Sequence, residues 1–150
     1  MEEPIRIWLE TSHHAAFRCG GWAFVRQDTG ALSGAAGGAR NLTLERALLS
    51  GLAEALKDLS AGAVVEVQTG NRQIATMPQR IAGVGVGEDP PTVDLDLWAQ
   101  LSTALKTVRI VPAPPNAFAA AWAELARDKA KATGAFRSAI PKPNLAKAGV

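Results

Sequence analysis

Residues 5 to 12 run Ile5-Arg6-Ile7-Trp8-Leu9-Glu10-Thr11-Ser12. Ile5, Ile7 and Leu9 alternate with Arg6, Trp8 and Glu10, the period of two that sends successive side chains to opposite faces of a sheet. The pattern predicts a half-buried strand that ends on an acid, Glu10, and gives way at Thr11-Ser12-His13-His14. Gly20-Gly21 then opens a second run, WAFVRQ, Asp28-Thr29-Gly30 supplies turn residues, and ALSGAA follows as a return arm weakened by its Gly and Ala. Three antiparallel strands are expected.

Downstream the period changes. Large apolar residues at 44, 48, 52, 56 and 59 predict an amphipathic helix over 42–59, with Asn41 or Thr43 as cap. Ala63 to Thr69 reads as a buried strand, followed by a short helix from Asn71 that Pro78 ends and a loop over 78–93. Leu97, Trp98, Leu101 and Leu105 place a second helix over 94–107, with Asp94 and Asp96 at the positive end of its dipole. Val108 to Val111 is a last short strand; after Pro112, Pro114 and Pro115 comes an Ala-rich helix from about Ala117 to Lys131. Antiparallel strands followed by helical crossovers imply an α/β fold: a five-stranded mixed sheet, its later strands parallel, with helices on both faces.

At 150 residues the chain has the length of one domain, able to bury about two thirds of its unfolded surface. No segment approaches the run of about 18 apolar residues that spans a bilayer, and the start, MEEPIRIWLE, carries acids where a secretory signal carries Lys or Arg. With a single cysteine, Cys19, this points to a reducing, cytoplasmic setting and no membrane partner. Charge is unevenly spread: residues 1–128 hold eleven Lys/Arg against fourteen Asp/Glu, whereas 129–150 hold five basic residues and no acid. A domain over 1–132 and a basic, flexible tail over 133–150 are expected, the tail serving either solubility or an acidic partner.

The order of elements resembles that of ribonuclease H, and five stretches resemble its motifs. They are Glu10-Thr11-Ser12 with Gly20-Gly21-Trp22; Asn41-Leu42-Thr43-Leu44-Glu45; Gln68-Thr69-Gly70-Asn71; Val93-Asp94-Leu95-Asp96-Leu97-Trp98; and Trp122-Ala123-Glu124-Leu125-Ala126. The resemblance runs from about Ile5 to Ala130. It implies cleavage of the RNA strand of an RNA-DNA hybrid with two Mg²⁺ ions, held by four carboxylates that neutralise the ions' mutual repulsion. The four positions correspond to Glu10, Glu45, Gly70 and Ala123.

Only half of that set is acidic. Glu10 stands where the family has Asp, one methylene longer, and Glu45 keeps residue type and place. Gly70 has no side chain and Ala123 offers a methyl. Glu124 is turned about 100° from Ala123 around the helix and cannot stand in for it, while Asn71 is a candidate neutral ligand. The family's His before the last helix is replaced by Ala113-Pro114-Pro115-Asn116-Ala117, and its basic, Trp-containing insertion has no counterpart in 78–93, where Arg80 faces Glu88 and Asp89.

Each candidate residue also fits a structural role. Glu10 is also a plain strand end, and Glu45 lies in a first helical turn, where the dipole favours acids whatever their role. His13-His14 lack the spacing of a metal site and Cys19 lacks a catalytic partner. Trp22, Trp98 and Trp122 are expected in the core, with Trp8 open to stacking. The resemblance therefore implies a catalytically inactive nucleic-acid-binding or assembly module, with an RNA-DNA hybrid, a duplex or another protein as partner and no cofactor. The alternatives are an active hybrid nuclease with a rearranged site, using Mg²⁺ or Mn²⁺ at Glu10 and Glu45, and a protein-interaction module.

Overall fold

Strand β1 (Ile5–His14) sits inside the sheet, antiparallel to β2 (Cys19–Asp28) on one side and parallel to β4 (Val65–Thr69) on the other. In this computed structural model residues 4–59, 63–80 and 94–150 are described. β2 continues through a tight turn into β3 (Ala31–Arg40), and β5 (Val108–Pro112) runs parallel to β4. A sixth strand, β6 (Phe136–Ala139), pairs antiparallel with β3, giving the order β5-β4-β1-β2-β3-β6. The mixed sheet is as expected, with six strands in place of five.

The sixth strand corrects the expectation of a flexible tail over 133–150. Gly134, at φ +91°, ends the preceding helix and turns the chain back along β3. Ile140, Leu145 and Ala148 are then buried against Ala23, Val25 and Ala36. Arg137 donates to Glu54 at 2.7 Å, so a tail cation is held by an acid of the body.

Alternation along β1 sorts the two cores. Ile5, Ile7 and Leu9 pack with Val65, Val67, Trp22 and Phe24 under α1 (Leu44–Ala55) and α3 (Leu95–Ala104). Trp8 joins Ala23, Val25 and Ala36 on the opposite face, beneath α4 (Ala117–Thr133). That helix approaches closely because Gly21 and Gly38 lie under it; a Cβ at Gly21 would strike the backbone of Ala123 and Arg127. Short helices α2 (Arg72–Ala75) and α5 (Lys142–Leu145) complete the described elements, with single 3-10 turns at Ala15–Phe17 and Leu105–Thr107.

Other boundaries move for local reasons. β1 continues to His14, since β2 supplies partners as far as His14 opposite Cys19, where apolar alternation has already stopped. Thr43 is the cap of α1, its Oγ1 accepting from the Arg46 N–H, while Asn41 adopts a left-handed φ of 54°. The chain is helical again over 77–80, so Pro78 lies in a first turn, where its missing N–H is tolerated. The remainder of the expected 78–93 loop lies outside the described residues. Trp22 and Trp98 are buried as expected, whereas Trp122 and Trp8 are half-buried at the edge of the α4 core. No described helix is long and apolar enough to cross a membrane.

Candidate functional site

Glu10 belongs to the sheet face of Trp8 and is 6% exposed. β4 runs parallel beside β1, Trp8 opposite Gln68, so the strand's end at Gly70 lies within reach of the Glu10 carboxylate. Both oxygens accept from the Gly70 N–H, at 3.1 and 3.2 Å. Burial pushes the Glu10 carboxyl above the ordinary value of 4.5, and the Gly70 N–H acts in the opposite sense.

Gly70 is closed off as well as bare. A Cβ built there would stand 2.5 Å from Pro115 Cγ and 3.0 Å from Pro115 Cδ. Asn71 does not turn toward Glu10: its Oδ1 caps α2, accepting from the N–H groups of Gln73 and Ile74 at 2.9 and 3.1 Å. Beside these residues, at the carboxyl ends of β4 and β5, is an open cavity of about 370 Å³ lined by Thr69, Gly70, Asn71, Arg72, Pro112 and Pro114.

Glu45 has a different neighbour. It lies in the first turn of α1 and meets the Arg80 guanidinium at 2.6 Å. Arg80 also stacks over the Trp98 ring, 4.7 Å from its centroid. Glu10 and Glu45 have no partner in common among the described residues. Asp94 and Asp96, expected to complement the helix dipole, both accept from Arg46, at 2.9 and 3.0 Å, which ties α3 to α1.

Ala123 is fully buried in the apolar cluster between α4 and the sheet. Glu124, the next residue, is exposed, as the helical rotation requires. His13 uses Nε2 in a 2.6 Å hydrogen bond with the Leu42 carbonyl, and His14 packs edge-on against Phe17. No cluster of three or more His, Cys, Asp or Glu side chains suited to a metal is found among the described residues. Sequence reasoning missed Arg80 and Pro115: Arg80 sits in an ordinary polar stretch, and a proline's reach toward Gly70 depends on how two distant segments pack.

Superposition on solved structures decides the fold. LC11-RNase H1 in complex with an RNA/DNA hybrid superposes with a TM-score of 0.67 over 84% of this chain and 98% of that one, at 21% identity. The fold is ribonuclease H-like. LC9-RNase H1, a type 1 RNase H with the type 2 active-site motif, superposes at 0.68 over the whole chain and 82% of its own, at 15% identity. The N-terminal RNase H domain from Mycobacterium tuberculosis gives 0.55 over 87% and 97%, at 21% identity. No family profile and no curated protein matches the sequence. The superposition bears out the ribonuclease H-like fold that the sequence motifs pointed to, at identities of 15 to 21%.

Proposed function

We propose that this ribonuclease H-like chain binds nucleic acid, with an RNA-DNA hybrid or another duplex as partner, and does not cleave it. The observation that carries the reading is the packing at Gly70: a position that supplies a carboxylate in the family's scheme has no side chain, and Pro115 fills the adjoining space. Two Mg²⁺ ions about 4 Å apart need several converging anionic oxygens, and Glu10 with Glu45 is too small a set for them. Glu10 is already engaged by the Gly70 N–H, and Glu45 has Arg80 as its counter-ion. Ala123 supports the same reading, since its place is apolar. The choice of partner is supported by the likeness to LC11-RNase H1, seen with an RNA/DNA hybrid.

A second reading keeps activity at a rearranged site with one Mg²⁺ or Mn²⁺. Its support is the Glu45–Arg80 pair, which is half-exposed and therefore cheap to open. A crystal soaked in Mn²⁺ separates the two. The pseudoenzyme reading expects no ordered ion between Glu10 and Glu45 and expects labelled hybrid to bind at low salt. An ion touching both carboxylates supports the nuclease, and failure to bind hybrid, duplex or single strands overturns the nucleic-acid reading.

A further inference from the structure

One end of the sheet gathers cations with few acids to match. The turn between β1 and β2 carries Phe17 and Arg18, Arg40 ends β3, and Arg127 and Lys131 lie one helical turn apart on α4. These elements touch. Lys131 Nζ lies 3.3 Å from the centroid of the Phe17 ring, which is 54% exposed. Arg40 donates to the carbonyls of Lys131 and Ala132 at 2.9 and 2.8 Å, and Arg127 donates to Ser12 Oγ at 2.9 Å. The Leu42 N–H donates to the Arg18 carbonyl at 2.9 Å, joining the turn to the end of β3.

The charge balance singles this surface out. Among the described residues Arg18, Arg40 and Lys131 form no ion pair, and only Arg127 has a carboxylate, that of the exposed Asp128 at 3.1 Å. The α4 carbonyls that hold Arg40 carry roughly half a unit charge between them, too little to cancel a guanidinium. Arg127 and Lys131 are spaced about 6 Å along the helix. Like charges held together this way repel, and an anionic partner with repeated charges relieves the repulsion.

We infer that Arg18, Arg40, Arg127 and Lys131 form a docking surface for the phosphodiester backbone of nucleic acid, beginning one helical turn beyond Ala123. The inference rests on the nucleic-acid reading and adds where the strand lies. Arg40 fixes the end of α4 and presents its remaining N–H groups; Arg18 and Lys131, the latter resting its ammonium on the exposed Phe17 ring, are the other exposed contacts. Binding here is read by charge and depends steeply on salt.

The test compares two double variants of equal charge change, Arg18→Gln/Lys131→Gln and Lys57→Gln/Lys142→Gln. Lys57 follows the C-terminal end of α1, and Lys142 adjoins Ala31 and Leu32, about 30 Å along β3 from Arg40. Binding of a labelled RNA-DNA hybrid, duplex DNA and single-stranded RNA is followed by fluorescence anisotropy from low to moderate salt, with thermal melts to establish folding. The expected result is a loss of about tenfold or more for the first pair, with the slope of log K against log salt shallower by about two, and little change for the second. Should the first pair melt early, Lys131→Gln alone serves, with a slope change of about one. Wild-type binding that both pairs leave equal overturns the surface and spares the nucleic-acid reading. A wild type that binds only an acidic protein, or nothing, overturns both.

Discussion

Pro115 Cγ lies 2.5 Å from the point where a Cβ on Gly70 would begin. The gap in the acidic set is thus built into the packing between the end of β4 and the turn before α4. Gly70→Asp forces Pro115 or the β4 end to move, and overpacking of this kind costs about 1–3 kcal/mol. Pro115→Ala removes the Cγ and Cδ contacts, so the double variant regains much of the loss. Urea unfolding of the four species in a double-mutant cycle gives the coupling; additive effects would show that the two residues do not compete for space.

Ala123→Asp meets a different obstacle. Its methyl is fully buried among Ala23, Val25 and Ala36 in an apolar cluster. An unpaired carboxylate there costs about 3 kcal/mol or more, or is held protonated. Thermal unfolding at neutral pH is expected to show a large loss that narrows in acid as the side chain neutralises. A melting temperature equal to that of wild type would place residue 123 outside the apolar core.

Glu10 sets a pH dependence. Burial raises its carboxyl above the ordinary 4.5 against the pull of the Gly70 N–H. The folded chain therefore holds this proton more tightly than the unfolded chain. Its contribution to stability is complete below the ordinary value and is lost as pH rises through the raised one. Glu10→Gln keeps an oxygen for the Gly70 N–H and removes the buried charge. The variant is expected to melt above wild type at neutral pH, with the advantage closing as pH falls toward 4.5; a deficit at neutral pH would mean that the charge is paired.

Glu54 has the opposite sign. Burial pushes its carboxyl up, but Lys57 and Arg137 donate to it and together bring it below the ordinary range. Its contribution is present above the ordinary carboxylate value and is lost as pH falls through the depressed one. Arg137→Ala is expected to cost about 1 kcal/mol or less, in keeping with exposed ion pairs. Protection of 136–139 against hydrogen exchange, taken relative to the intrinsic rate at each pH, is predicted to fall in that variant and in acid, with β4 unaffected. Unchanged exchange would show that backbone pairing with β3 alone holds β6.

Much of this architecture was legible in residues whose burial repeats. Ile5, Ile7 and Leu9 announce β1, and the spacing of Leu48, Leu52 and Leu56 announces α1, because each pattern answers to one buried face, while Leu44 of the same series is exposed. β6 gave no such signal: Phe136-Arg137-Ser138-Ala139 is short and mostly exposed, and it is held by backbone pairing that composition does not reveal. β3 looked weak for a related reason, since Gly37 and Gly38 are small where Trp22, Phe136 and α4 press on them. At the site, the acids Glu10 and Glu45 and the gaps at Gly70 and Ala123 followed from likeness to a known family. Their partners, Pro115 and Arg80, come from segments that meet only on folding.

A cleavage assay decides whether this chain cuts RNA. Labelled RNA-DNA hybrid is incubated with the full chain in Mg²⁺ and, separately, in Mn²⁺, beside a Glu10→Ala/Glu45→Ala control. Intact RNA is expected in every lane. Metal-dependent products from the wild type that vanish in the control would contradict it.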